Sequence, residues 1–223
     1  MDANRKRWNE DHQKLNRALT VGHRGQVITL FLNQHAMLHS AKMSKSGLWS
    51  FEDEILSGLT DEQVRTVPPG GEHSIAWILL HLARIEDITM NMLVAGKPQL
   101  FTHEGWGRKM NVDIVHSANS MDNASVAALS AGINVKALLA YRVAVGRRTR
   151  QIVQKIKAEE FKQKVDPARL QKVMDEGAVS PDAMEIIRYW GSRTIAGLLL
   201  MPPTRHCSLH FNEALKIKKK ILR

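Results

Sequence analysis

The sequence predicts an all-α protein, a four-helix bundle with a long crossover loop and extra short helices. Apolar residues recur at three- and four-residue spacing through several long segments, strand-like alternation is nearly absent, and residues 96–122 separate the first two helical patterns from the rest. The 223 residues suffice for one large domain with its own core. Residues 1–24 are expected to be an N-terminal extension, and 25–223 a helical bundle ending in a basic C-terminal tail.

Each element follows from local chemistry. A first helix is expected from about Gly25 to Lys42, with Val27, Leu30, Phe31, Gln34 and Leu38 near helical spacing. A short amphipathic turn follows around Ser50 to Leu56, and the run from Pro68 to Gly71 is a strong break. Ser74 suits the N-cap of a second helix carrying Trp77, Ile78, His81, Ile85, Ile88 and Met92 on one side, stopped by the segment from Ala95 to Pro98. The stretch from Gly96 to Asp122 reads as irregular, and a loop of that length in a compact domain suggests that it covers a site. A third helix is expected from about Ala124 to Phe161, weakened at Gly132 and Gly146. A short basic helix after Asp166-Pro167 precedes one opened by Ser180-Pro181 and running to about Met201, where Pro202-Pro203 must kink or break it. The last helix spans about Thr204 to Lys219.

Charge and composition narrow the function. The net charge is +10, concentrated between Lys136 and Lys172, where eleven basic residues face three acids, and in the tail from Lys216 to Arg223. Basic runs of this kind serve nucleic acid or anionic partners, or simply form solvated helix faces. Aromatic residues make up 5% of the chain, too few and too scattered for a base-stacking platform, so nucleic acid is a disfavoured partner. The single cysteine, Cys207, rules out an internal disulfide framework and fits a cytoplasmic setting; it is expected to be a small buried hydrophobe. The N-terminal segment lacks the apolar core of a secretory signal, and no apolar run is long enough to span a bilayer. P-loops, Rossmann glycines, Ser/His/Asp triad motifs and C-x-x-C knuckles are all absent.

Histidines are the informative residues. His206 and His210 form an H-x-x-x-H pair, placing two imidazoles on one helix face with Ala214 and Ile217, while His81 lies in the apolar stripe of an earlier helix. Buried imidazoles need polar partners or a metal, so three of them suggest either a satisfied polar spot or a three-nitrogen metal site with an open position. His35 and His39 have the same spacing and offer a fourth ligand, a contact behind the ligands or a substrate contact; equally, they could form the polar edge of a helix. His73 reads as a cap-region residue, and His12, His23, His103 and His116 as surface.

Together, the segment WILLHLARIEDITMN, the pair in HCSLHFNEA and the Gly105-Trp106-Gly107 tripeptide resemble the DinB-like superfamily of bacterial four-helix bundles, also called damage-inducible or YfiT-like. That resemblance spans roughly Gly25 to Lys219 and implies His81, His206 and His210 as ligands of a divalent metal ion such as Zn, Ni or Fe. It also implies a metal-dependent enzyme acting on a small molecule, thiol S-transferase-like or hydrolase-like, with a low-molecular-weight thiol as a candidate partner. Glu213, three residues after His210, and Glu86, five after His81, are the candidate catalytic carboxylates. Arg205 could bind an anionic substrate group, and Trp106 could cover the pocket or pin the loop. The competing expectation is a non-enzymatic binding module whose basic helices contact nucleic acid or acidic partners and whose histidines are vestigial. A homodimer through an exposed bundle face is compatible with both.

Overall fold

The computed structural model describes residues 2–21 and 23–223. Met1 and Gly22, both inside the expected N-terminal extension, lie outside the described residues. Among the described residues the protein is all-α, with no strand and one isolated bridge between Lys164 and Thr194. The longer helices are α1 (Ala3–Val21), α2 (Arg24–Leu38), α3 (Ile75–Asp87), α4 (Asn123–Gly132), α5 (Val135–Lys155), α6 (Pro167–Asp175), α7 (Met184–Gly191), α8 (Ile195–Leu200) and α9 (Cys207–Ile221).

Helix α3 is the axis of the fold. All its residues from Ile75 to Asp87 are buried, as expected of a helix apolar on most sides, and it packs against α5 and α9. Ser74 caps it by accepting a hydrogen bond from the Trp77 amide. Beyond Asp87 the chain continues as a π-helical segment, Ile88–Val94, where the wider turn shifts the register of everything beyond it.

Segment 1–24 is less of an appendage than its expected role as an extension suggests. Helix α1 packs along α2 and buries Trp8, Leu15, Ala18 and Leu19. His12, expected at the surface, is buried there: its Nδ1 lies 3.0 Å from Gln34 Oε1 and its ring stacks on Trp8. His23 and His103 are exposed and His116 is half-buried.

Four sequence expectations are corrected. The first helix stops at Leu38, and Ser40 caps a separate turn, Ala41–Ser44. The expected single helix over residues 124–161 is two, α4 and α5, meeting at 97°. Ile133 is extended and the Asn134 side chain accepts from the Ala137 amide, so a local cap outcompetes helix continuation. The helix expected to reach Met201 breaks after α7, and Thr194 caps α8 by accepting from the Gly197 amide. Finally, Pro202 and Pro203 neither break nor end the chain of turns: they sit in a second π-helical segment, Met201–His206, which runs directly into α9. Pro203 cannot supply the amide that Leu199 O would accept in an α-helix, and the Thr204 hydroxyl donates to that carbonyl instead, at 2.8 Å.

The segment over residues 96–122 contains two short helices, Leu100–His103 and Trp106–Met110, and is tied down from α3. Asp87 accepts from the Leu100 and Phe101 amides and from the Tyr141 hydroxyl, the last at 2.6 Å. Arg84 donates to Gln99 Oε1 and to the Val115 carbonyl, each at 2.6 Å. Among the described residues, no single helix is long and apolar enough to cross a membrane.

Candidate metal centre

Three elements bring His81, His206 and His210 together. His81 comes from the middle of α3, His206 from the end of the second π-helical segment and His210 from the first turns of α9. One ring nitrogen from each lies within 4.8 Å of the others, and the ring centroids are 4.7–5.2 Å apart. His81 is buried, while His206 and His210 are half-buried.

The hydrogen bonds around this cluster orient its nitrogens. His81 donates from Nδ1 to the Ser117 carbonyl at 2.8 Å, which leaves an Nε2 lone pair facing His206 Nε2 at 3.3 Å. His210 Nδ1 lies 2.9 Å from Glu213 Oε2, so its Nε2 is likewise left as an acceptor. His206 Nδ1 is buried with no hydrogen-bond partner among the described residues. Two lone pairs fixed by outer partners, with a third imidazole about equally far from both rings, suit a cation, because metal-bound histidines are held in this way by a carbonyl or carboxylate on the far nitrogen. His81, His206 and His210 therefore could hold a metal ion.

Glu213 joins two imidazoles, accepting from His210 and, at 2.7 Å, from His73 Nδ1. Partial burial works to raise its carboxyl, but the hydrogen bonds from His210 and His73 outweigh it and bring the pKa down to about 2. It is an acceptor that orients His210. Burial takes His81 down to about 3 and His206 well below its usual value, keeping both neutral, which is the ligating form.

Ser117 is placed by strain and by anchoring. Ala118 and Ser120 have positive φ values of 63° and 55°, a left-handed backbone that costs roughly 1–2 kcal/mol per non-glycine residue. Side-chain hydrogen bonding of Ser117 to Asn119, with the ties from Arg84 and Asp87, holds the loop in that shape. Beside His206 a cleft of about 360 Å³ opens, lined chiefly by Ile85, Ile186, Tyr189, Trp190, Met201 and Pro202. Its lining is mostly apolar, and α7 supplies the aromatic wall.

Other candidates lie elsewhere. Glu86 does not face the triad; its two carboxylate oxygens take His35 Nε2 at 2.8 Å and His39 Nε2 at 3.0 Å, a second buried group that could hold a metal ion. Five residues along an α-helix turn Glu86 about 140° away from His81, which explains the separation. Burial outweighs the attraction of Glu86 and takes His39 down to about 3, so the contact is a neutral imidazole donating to a carboxylate. For Glu86 burial is opposed and overcome by those two imidazoles, which hold it well below the usual carboxylate range. Arg205 turns toward α1, lying 5.1 Å over Trp8 and donating to Asn9 Oδ1. Trp106 packs on Tyr141 beneath Lys109 and lines a different cleft, between α5 and the short helix Phe51–Leu56. Cys207 is buried, and burial pushes its thiol up to about 12.

Sequence reasoning passed over Ser117, His73 and Trp77. The ring of Trp77 is stacked between His73 at 3.7 Å and His81 at 5.0 Å, one layer per turn. The four-residue spacing of residues 73, 77 and 81 carries that signal; the Ser117 carbonyl has none, because it depends on a remote loop.

No curated protein matches the sequence. The sequence profile of the DinB superfamily matches residues 52–199, a span that includes His81 and the whole of the anchored loop and ends before His206. With the all-α fold, this match establishes that the chain belongs to the DinB superfamily.

Proposed function

We propose that the protein is a metal-dependent enzyme that binds one divalent first-row ion through Nε2 of His81, His206 and His210 and acts on a small molecule in the cleft beside His206. The observation that carries this reading is the pair of imidazoles whose Nδ1 atoms are engaged by Ser117 O and Glu213, leaving their Nε2 lone pairs open in a group of three histidines with ring nitrogens within 4.8 Å of one another. When bound, such an ion supplies Lewis acidity and lowers the pKa of a thiol or water at the open position. The chain's own residues do the rest. Glu213 orients His210 and keeps a negative charge next to the centre; Ser117 fixes the His81 tautomer. The apolar wall from Ile186, Tyr189 and Trp190 holds an uncharged portion of the substrate and limits water around the reacting atoms. Thiol transfer, with a low-molecular-weight thiol as co-substrate, and hydrolysis are the two reaction classes that fit.

Metal analysis of tag-free protein tests this reading. The H81A/H206A/H210A variant should lose one equivalent of metal, and Glu213→Gln should weaken metal affinity about 10–100-fold, the range seen when an outer partner of a metal ligand is removed. A triple histidine variant that retains the metal content of the parent protein overturns it.

A further inference from the structure

A second buried cluster lies between α2 and α3, apart from the triad. His35 comes from the last turn of α2, His39 is the residue just beyond it and Glu86 comes from α3, and their side chains are 0%, 1% and 2% exposed. Each carboxylate oxygen of Glu86 faces one imidazole Nε2, at 2.8 and 3.0 Å, and the two rings sit 4.2 Å apart. Bonds of about 2.1 Å at right angles place neighbouring ligand atoms roughly 3.0 Å apart, so these separations suit adjacent positions around one first-row ion.

Burial adds a second observation. Glu86 is 2% exposed, and among the described residues its only ion-pair partners are the two imidazoles, since the nearby Arg142 is paired with Glu52 at 2.7 Å. A buried carboxylate is expensive unless hydrogen-bond donors or a cation meet it. Space is constrained as well: an added Cβ at Gly146 of α5 would lie 2.9 Å from His39 Nδ1, so the helix backbone closes directly over the imidazole.

We infer that His35, His39 and Glu86 form a second, enclosed metal centre for a divalent first-row cation, with a structural role in joining α2 to α3. Two imidazoles and one carboxylate are a donor set used for iron, manganese and zinc. Each ring would give the ion its Nε2 lone pair and carry its proton on Nδ1, in place of the Nε2 proton donated to Glu86 when no ion is bound. None of the clefts described above opens on these three residues, so the ion exchanges slowly and meets no substrate.

The experiment is metal stoichiometry on tag-free full-length protein refolded with zinc or manganese, followed by anomalous scattering on crystals of the same material. The parent protein should carry two ions per chain, H81A/H206A/H210A one and E86Q one, with chelator removing the triad ion first and the enclosed ion in a much slower phase. Because the anomalous map needs no substitution, it decides the matter even if E86Q does not fold. A peak between His35, His39 and Glu86 supports the inference. A single ion abolished by the triple histidine variant overturns it and leaves the triad reading intact. A single ion lost only in E86Q overturns the triad reading instead, and two ions with no anomalous peak at Glu86 overturn the second centre.

Discussion

The two histidine clusters share a helix and differ in almost everything else. Both draw on α3, one at His81 and the other at Glu86, and both use an i, i+4 histidine pair from a neighbouring segment. The triad has three nitrogens, two half-buried rings and a cleft beside His206. The other cluster has two nitrogens and a carboxylate, is closed on every side and is sealed by Gly146. Exposure sets what each can do: a half-buried centre can exchange ligands with solvent, whereas an enclosed one can only hold elements together. A carboxylate also changes meaning with depth. Glu213, 37% exposed, orients His210 from the surface, while Glu86, 2% exposed, joins two imidazoles inside the core.

The sharpest way to break that contrast is to remove each carboxylate. Glu86→Ala strands two buried imidazoles and should cost about 3–5 kcal/mol in urea unfolding, as for other buried partners removed singly. Glu213→Ala should change stability by less than about 1 kcal/mol in metal-free protein, because exposed pairs contribute little. Equal costs would mean that the depth difference has no energetic content.

Acid should act on both clusters through their neutral histidines. His81 and His39 have pKa values near 3 in the folded protein against 6.5 for an ordinary histidine, so below pH 6.5 the unfolded chain binds more protons. Their contribution to stability is complete above 6.5 and falls as pH drops toward 3, by of order 1 kcal/mol per pH unit for each group. Denaturation midpoints in chelator between pH 7.5 and 5 should show this slope, and His39→Asn and His81→Asn should each remove a share. A flat profile would contradict neutral burial of these rings.

Gly146→Ala is the smallest effect expected. Alanine gains up to about 1 kcal/mol of helix propensity at an ordinary site, but here the new methyl meets His39 and Met43 Cγ, each at 2.9 Å. A net loss of about 1–3 kcal/mol is expected, with His39 displaced from Glu86. Stabilisation by the substitution would show that the seal over His39 is loose.

Much of this was legible beforehand, for stated reasons. Helical periodicity reports which face of a segment is apolar, so the all-α class, the Ser74 cap and the residue set His81, His206 and His210 could be read from spacing and resemblance. Periodicity carries no information about where a cap interrupts a good pattern. That is why Asn134 and Thr194, which split two expected helices, went unseen, and why paired prolines looked like a break when Thr204 could sustain a π turn. Glu86 was expected close to the His81 face, but five residues turn it about 140° away, where His35 and His39 claim its two oxygens.

The order of residues along the chain was enough for the all-α class, the capping of α3 and the pairing of His206 with His210 on one helical face, because these depend on contacts within a few residues. The long-range contacts settled the rest: Ser117 against His81 across 36 residues, Glu86 against His35 across 51, and Glu213 against His73 across 140. Those pairings depend on how helices and an anchored loop pack, and local spacing carries no record of that packing.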